Sequence, residues 1–329
     1  MVCKLRITFS QAVDGFMLEK QAQQRSRHTL GDYSNSFRHF AQYLEEDAYL
    51  DEITPQVIRR FLKYLGETPI AAAGAAPRPA APLSKKSILN VHTALSSLWS
   101  WAVREGYAER HVVRQVPRPR PEKRAIVPYT RQDVKAMLGV CEESLPYTRA
   151  GQEGITHSRA TGLRDEAIVR LLLDTGMRAS ELCRLTVGDV DLANQRAKVF
   201  GKGARERLLP FGRRTVKALW RYLVTRPDAA GEEPLFLAYG EEDVGMTRDG
   251  LRKLMARLAR RAGVATKGNV HRFRHTFAVN FLRNGGDAYT LQMLLGHSTM
   301  DMVRRYLAIV QADVENVHKR ASPVDNWRL

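Results

Sequence analysis

Six residues of this 329-residue chain have the types and settings to do chemistry on an anion: Arg178, Lys202, His271, Arg274, His297 and Tyr306. Arginine and lysine donate charged hydrogen bonds to anionic oxygens. Histidine moves protons near neutral pH. Tyrosine becomes a nucleophile once its proton is removed or shared. Taken singly, each has an ordinary structural explanation. Arg178 lies in D-T-G-M-R-A-S-E-L-C-R-L (174–185) and would pass as a salt-bridge partner; Lys202 lies in the turn G-K-G-A-R and would pass as a solvated side chain. His297 follows a glycine in L-L-G-H-S, where a histidine often caps a helix, and Tyr306 ends M-V-R-R-Y, where a tyrosine is commonly half-buried.

His271 and Arg274 share the segment H-R-F-R-H-T-F-A with His275, four residues beyond His271. Two histidines at that spacing can share a helical face and raise the question of zinc. No glutamate lies between them as in H-E-x-x-H, and no third ligand has suitable spacing, so no metal site is expected. Gly201-Lys202-Gly203 lacks the longer glycine-rich run and the Lys-Ser/Thr ending of a nucleotide-binding loop.

The elements that must position these residues are mostly helices. Ala167, Ile168, Leu171 and Leu172 recur at helical spacing before Arg178. Thr175-Gly176 breaks that pattern, and a second helix is expected from about Ala179 to Leu185, burying Leu182 and Leu185. Arg178 therefore sits where a tight turn feeds a new helix. Beyond it, Thr186–Phe200 and Arg207–Pro210 read as short strands joined through Gly201–Gly203. Helices follow around Leu219–Leu223 and Leu251–Arg261, and again from Asn269, with breaks at Gly285-Gly286 and Gly296-His297. Past Tyr306, Ala308, Ile309, Ala312, Val314 and Val317 give a modest helical stripe.

The first part of the chain is helical throughout. Helices are expected from Ser10, over Thr29–Leu44, from Pro55 behind an Ile53-Thr54 cap, and from Ser84 to about Arg104. The aromatic stripe Tyr33, Phe37, Phe40 is expected in the core. Ser84, Lys85, Lys86, Ser87 and His92 read either as a phosphate-facing edge or as a solvated one. Gly66–Pro82, with four prolines, reads as a flexible insertion without regular structure, and Ser144–Gly162 as a polar surface insertion. Thr130 with Asp133 resembles a capping box. The domain reading is thus a helical domain over 1–115, a basic proline-rich linker over 116–128, and a second domain over 129–329. The fold class is mainly α with a small antiparallel sheet in the second domain.

Fifty-two Lys and Arg against 35 Asp and Glu leave a net charge of +17, which favours a polyanionic partner, either nucleic acid or an anionic membrane surface. No apolar run approaches the ~18 residues a spanning helix needs. The N-terminus lacks a signal peptide's apolar stretch, so a cytoplasmic location is expected. Cys3, Cys141 and Cys183 are too few and too scattered for a disulfide scaffold or a thiolate metal site.

Jointly the ordinary explanations fail. The segment 174–185, the lysine turn, H-x-x-R at 271–274, L-G-H-S and the tyrosine nine residues later resemble the tyrosine recombinase (phage integrase) family, closely over about 125–320. Within that family the likeness is greatest to compact bacterial chromosome-dimer-resolving recombinases and mobile-element integrases. The resemblance implies a two-domain clamp on double-stranded DNA, working as a tetramer on paired sites and monomeric or weakly associated when free. It implies a site-specific recombinase acting through a covalent 3′-phosphotyrosyl intermediate, without cofactor or metal. By the same resemblance, Tyr306 is the nucleophile, and Arg178 and Arg274 hold the non-bridging phosphate oxygens. Lys202 protonates the leaving 5′-oxygen, His271 assists proton transfer on the tyrosine side, and His297 hydrogen-bonds to the phosphate. In the family, the segment after the tyrosine commonly packs on a neighbouring protomer; the residues alone fit a self-packed helix equally well.

The insertions and the large positive charge favour a mobile-element setting, and the enzyme would be nucleoid-associated when bound to DNA. Three other readings compete with this one. A type IB topoisomerase uses the same kind of site but reseals the same strand. A DNA-binding accessory protein with an inactive site would rest only on the net charge and the basic linker. A membrane-surface protein would need a dominant basic amphipathic helix, which is not found.

Overall fold

The computed structural model describes residues 6–70, 79–122, 125–142, 147–149, 152–155, 159–201, 206–240, 244–265, 268–297 and 299–310, with 318, 322, 324 and 326 as single positions. They fall into two compact units, Met1–Arg124 and Ala125–Leu329, each with its own apolar core.

The first unit is built from α1 (Phe9–Ala22), α2 (Arg27–Leu44), α3 (Pro55–Glu67) and α4 (Lys85–Arg104). Local chemistry starts each helix. Thr8 and Gln11 form a reciprocal capping box on α1, and Thr54 caps α3 immediately before the proline that occupies its first turn. The aromatic stripe is core, as expected: Phe9 meets Phe40 edge-on at 5.0 Å, Phe40 tilts against Phe61 at 4.7 Å, and Tyr33 stacks on Phe37.

Two expectations for this unit need correction. His92 does not face solvent or phosphate; it is buried, with Nε2 at 3.2 Å from the Val116 carbonyl oxygen, because it lies on the same face of α4 as Leu95 and Trp99. Its neighbours Ser84 and Ser87 are engaged at the start of α4, Ser84 accepting the Ser87 amide hydrogen bond. The stretch 66–82 is also less irregular than its prolines suggest. Gly66 and Glu67 finish α3, and Ile70 and Ala81 pair through both backbone groups, closing the base of the loop. Positions 71–78 lie outside the described residues.

The proline-rich stretch is anchored at both ends. Val116 packs into the first core, while the carbonyls of Val127 and Pro128 accept hydrogen bonds from Arg272, and the Tyr129 amide donates to Thr276 Oγ1.

The second unit runs α5 (Arg131–Glu142), β1 (Tyr147–Arg149), β2 (Gln152–Ile155), α6 (Gly162–Thr175), α7 (Ala179–Leu182), β3 (Val190–Asp191), β4 (Arg196–Phe200), β5 (Glu206–Pro210), α8 (Arg213–Leu223), α9 (Arg248–Arg261), α10 (Val270–Arg283), α11 (Ala288–Leu295) and α12 (Asp301–Val310). Strands β3, β4 and β5 make the small antiparallel sheet, with Val190 opposite Ala197 and Ala197 opposite Leu209. Those inward residues pack with Ala167, Ile168, Leu171 and Leu172 of α6 in one core. Thr130 and Asp133 exchange backbone-to-side-chain hydrogen bonds, the capping box read from the sequence.

The structure differs from the sequence reading in three places. The helix after Arg178 closes at Leu182 rather than Leu185, although Leu182 and Leu185 are both buried as expected. Within Thr186–Phe200 the strands are confined to the two-residue β3 and to β4, and the segment opens on a 3-10 turn (Val187–Asp189) instead. The stretch 144–162 contains the β1–β2 hairpin, and its end is tied down. Arg159 donates to the carbonyls of Val140 and Cys141 and pairs with buried Asp165 at 2.8 Å. No helix among the described residues is long and apolar enough to cross a membrane. Burial pushes the Cys141 thiol up to about 12 and the Cys183 thiol up to about 11, so neither is a thiolate at neutral pH.

Candidate active site

The site gathers around the C-terminus of α11. A helix end presents unpaired carbonyls and the negative pole of the helix dipole, which favour cations. Here three successive carbonyls each hold a different arginine. Leu294 accepts from Arg207 Nε (2.9 Å), Leu295 from Arg274 Nη2 (2.6 Å), and Gly296 from Arg178 Nη2 (2.9 Å). Gly296 itself adopts φ +62° and caps the helix; a side chain there would press on the Arg207 guanidinium, 3.2 Å from the Cβ position.

Each arginine arrives from its own element. Gly176, at φ +60°, ends α6 and turns the chain so that Arg178 becomes the N-cap residue of α7; a Cβ at Gly176 would lie 2.4 Å from the Phe277 ring. Arg207 comes from β5 and Arg274 from α10, where a further bond from Nη1 reaches the Gly176 carbonyl at 3.0 Å.

Glu181 organises two of the three. Its carboxylate takes the Arg207 fork at 2.9 and 2.8 Å, Arg178 Nη1 at 2.8 Å and the Arg178 amide at 2.8 Å. Burial works against ionisation of Glu181, but the hydrogen bonds from Arg207 and the Arg178 amide outweigh it and hold the carboxyl below its usual range. Three guanidiniums thus gather near one carboxylate, which bonds two of them, leaving an excess of two positive charges. Desolvation, followed by repulsion from Arg178, brings Arg274 down to about 10, so it is still charged at neutral pH. Such a cluster is built to receive an anion.

Because Glu181 is 4 % exposed, its removal should leave two guanidiniums facing each other without their shared anion. Glu181→Gln is expected to destabilise the second unit by about 3 kcal/mol. The check is a lower denaturation midpoint at unchanged slope.

His297 follows Gly296 directly. Its Nε2 stands 2.8 Å from Arg274 Nη2, and desolvation together with the arginine charges lowers it to about 4. The neutral ring therefore accepts from Arg274 at Nε2 and carries its hydrogen on Nδ1, which has no hydrogen-bond partner among the described residues.

Tyr306 is fully buried, packed with Val279, Leu282, Leu295 and Val303. Burial raises its pKa, with the Arg274 and Arg305 charges opposing, so the phenol is protonated at rest. Its hydroxyl lies 2.9 Å from His275 Nδ1. In this structure the histidine that meets the tyrosine hydroxyl is thus His275, one helical turn further along α10 than His271. His271 is exposed in the first turn of α10, where its amide donates to Asn269 Oδ1; partial desolvation and the charges of Arg274 and Arg178 lower its pKa. Lys202 falls between β4 and β5 and lies outside the described residues.

The structure thus brings Arg178, Arg274 and His297 together, and places Tyr306 beside His275 on the helix that carries Arg274. Sequence reasoning missed Glu181, Arg207 and His275. Glu181 had a signal, three residues after Arg178 on the same helical turn. In the sequence, His275 stands out only as a possible metal ligand with His271. Arg207 gave none beyond its place after the lysine turn.

The same chain can be set beside known proteins. The phage integrase family model matches residues 130–312, and the phage integrase SAM-like domain model matches residues 8–116. Tyrosine recombinase XerC of Mycobacterium bovis (strain BCG / Pasteur 1173P2) is 32% identical over 306 residues, covering 91% of this chain and 94% of the relative. The XerC of Bacillus subtilis (strain 168) is 28% identical over 304 residues, covering 91% of each chain. Among solved structures, the Tn1549 transposon integrase in complex with transposon right end DNA superposes with a TM-score of 0.69 at 19% identity, over 96% of this chain and 100% of that one. A lambda integrase dimer bound to a COC′ core site gives 0.68 at 16% identity, over 90% and 97%. These two share the fold. With the catalytic family model spanning more than half of it and a recombinase 32% identical along nearly all of it, the chain belongs to the phage integrase family and is a tyrosine recombinase, an enzyme of site-specific DNA recombination.

Proposed function

We propose that this recombinase cuts and rejoins double-stranded DNA at paired sites through a 3′-phosphotyrosine on Tyr306. The observation that carries this reading is the trio of arginines on consecutive carbonyls of Leu294, Leu295 and Gly296, with His297 against Arg274. Glu181 takes both terminal nitrogens of Arg207 but only Nη1 of the Arg178 guanidinium, so the phosphate-binding forks are assigned to Arg178 and Arg274. Their charge gains value as the two non-bridging oxygens become more negative in the pentavalent transition state. His297 offers Nδ1–H to one of those oxygens. Lys202 protonates the departing 5′-oxygen, a role that rests on the family resemblance. The bond energy stays in the phosphotyrosine, and attack by another strand's 5′-hydroxyl completes the exchange. The two arginines do the charge work that phosphoryl transfer often assigns to a metal, so no divalent ion enters the scheme.

The enzyme is monomeric or weakly associated when free and assembles as a tetramer on two DNA sites. In solved relatives, lambda integrase is seen as a tetramer bound to a Holliday junction. The segment after α12 would link protomers; Ala312, Val314 and Val317, which suggested a docking stripe, lie outside the described residues. Residues 1–115, the stretch 116–128 and residues 129–329 act as DNA-gripping domain, basic linker and catalytic domain. The setting is the cytoplasm, on the nucleoid, serving mobile-element transfer or resolution of joined DNA.

The test is to mix the protein with a varied DNA pool, quench in detergent, and map the covalent protein–DNA adduct. The expected result is a 3′ adduct on Tyr306, with a shared site among the trapped sequences. An adduct on any other residue overturns the mechanism. Holliday junctions and joined products from that site separate recombination from simple strand relaxation.

A further inference from the structure

Resting on the reading that Arg178 and Arg274 hold the scissile phosphate, we propose that Arg207 is a positioning residue for strand cleavage. It holds the buried carboxylate of Glu181 and so keeps the Arg178 guanidinium available to the phosphate.

Arg207 reaches the cluster through its strand register. It stands opposite Val199 in the β4–β5 pair, between exposed Glu206 and Leu208, and so shares the inward face of β5 with buried Leu209. That face delivers its guanidinium to the end of α11, where Nε donates to the Leu294 carbonyl at 2.9 Å. The two terminal nitrogens meet the two oxygens of Glu181 at 2.9 and 2.8 Å, a matched fork on a carboxylate. All three nitrogens are thus engaged within the protein, and the side chain is 14 % exposed. Arg178 stands differently: its side chain gives Glu181 only Nη1, and it is 33 % exposed. Of the two arginines on Glu181, Arg178 is therefore the one with surface left for a ligand.

The pairing has an electrostatic reason. Burial disfavours a charged Glu181, and hydrogen bonds from Arg207 lead the influences that keep it ionised. A carboxylate 4 % exposed must find its donors inside the protein. With Arg207 in place, Glu181 needs only Nη1 and the amide of Arg178. Without Arg207, Arg178 is the cation left bonded to it among the described residues. The favoured geometry for that pair is a two-nitrogen fork, which draws the guanidinium away from the Gly296 carbonyl and from the phosphate. The charge left for an anion also falls, from an excess of two to an excess of one. Arg207 serves the phosphate without touching it. Its role is separate from that of Arg274, whose bonds go to Gly176, Leu295 and His297.

The experiment uses the full chain and the DNA recovered by adduct trapping. Single-turnover cleavage at saturating DNA is followed for wild type, Arg207→Gln, Arg207→Lys and Arg178→Ala. The scissile linkage is either the natural phosphodiester or a methylphosphonate, tested as each of its two stereoisomers, so that a methyl replaces one non-bridging oxygen at a time and removes the charge. Arg207→Gln is expected to bind DNA normally and to cleave the natural linkage about 10–100-fold more slowly, less than the 10²–10³-fold worth of a donor that touches the reacting group. Arg207→Lys keeps the charge without the fork and should fall between; it carries the test if the glutamine variant does not fold. The deciding readout is stereochemical. One isomer lacks the oxygen served by Arg178, and it is identified as the isomer on which Arg178→Ala loses its defect. On that isomer the Arg207 variants should match wild type, and on the other they should keep most of their deficit. A deficit equal on the natural linkage and on both isomers would mark Arg207 as a support for the fold alone and overturn the proposal. Full activity of Arg207→Gln on the natural linkage, or a deficit explained by weaker DNA binding, would overturn it too. If Arg178→Ala itself cleaves the natural linkage at the wild-type rate, the underlying reading of the site fails, whatever the Arg207 variants do.

Discussion

Tyr306→Phe is expected to abolish the covalent DNA adduct outright while leaving a folded, DNA-binding protein. The ring contributes packing among Val279, Leu282, Leu295 and Val303, and phenylalanine keeps all of that surface. The variant loses only the hydroxyl and with it the hydrogen bond to His275. Leaving Nδ1 unsatisfied in a partly buried setting costs about 1–2 kcal/mol, too little to unfold a unit with cores of this size. Chemistry, by contrast, has no substitute: without the oxygen no phosphotyrosine can form. Detergent-resistant complexes should vanish, and the affinity for the trapped DNA should stay within about twofold, since base and phosphate contacts are untouched. A residual adduct in a folded Tyr306→Phe protein would identify another nucleophile and refute the assignment.

The second large effect is expected at Arg274. This guanidinium is 5 % exposed and makes three contacts, to the Gly176 carbonyl, the Leu295 carbonyl and His297 Nε2. Arg274→Ala removes a phosphate-binding fork and leaves two buried carbonyls without their donor. A preorganised donor to a developing oxyanion is worth about 10²–10³-fold, and a charged fork that also orients His297 should exceed that, so a loss of at least about 10³-fold in adduct rate is expected. Each orphaned carbonyl adds a stability cost of about 1–3 kcal/mol. Arg274→Lys separates the two effects. It keeps the charge and one hydrogen bond but cannot bridge both carbonyls and a phosphate oxygen, so it should recover stability more than rate. Rates are to be compared below the unfolding temperature of each variant. A lysine variant as fast as wild type would show that charge alone suffices and that the fork has no role.

The two effects trace different origins in the fold. Tyr306 reports on one element, α12, presenting one oxygen. Arg274 reports on the meeting of α10 with the turn at Gly176 and the end of α11. Disturbance at any of those three should reach the phosphate site, and the same holds for Glu181, which ties Arg178 to Arg207.

Much of this was present in the sequence. The helical spacing of Ala167, Ile168, Leu171 and Leu172 implied a buried α6, and all four are fully buried. Thr175-Gly176 implied the turn that aims Arg178, because only a glycine tolerates that backbone beside the Phe277 ring. The order of Arg178, Lys202, H-x-x-R, His297 and Tyr306 carried the family, since residue order in a fixed topology survives when most side chains change. The capping pair Thr130 and Asp133 was legible because both partners are local.

What only the tertiary structure decided is which side chains meet across elements. The Arg207 to Glu181 bond spans 26 positions, the Arg178 to Gly296 bond 118, and the His275 to Tyr306 bond 31. Nothing in local periodicity sets those distances; they follow from how α10, α11, α12 and β5 pack. His92 makes the same point in reverse, being polar in the sequence yet buried by its place on the Leu95 and Trp99 face of α4. His271 and His275 are both histidines on one helix, and residue type cannot say which one the tyrosine meets. The rotation of α10, fixed by Arg274 gripping two carbonyls and by Phe273 in the core, turns His275 to the hydroxyl.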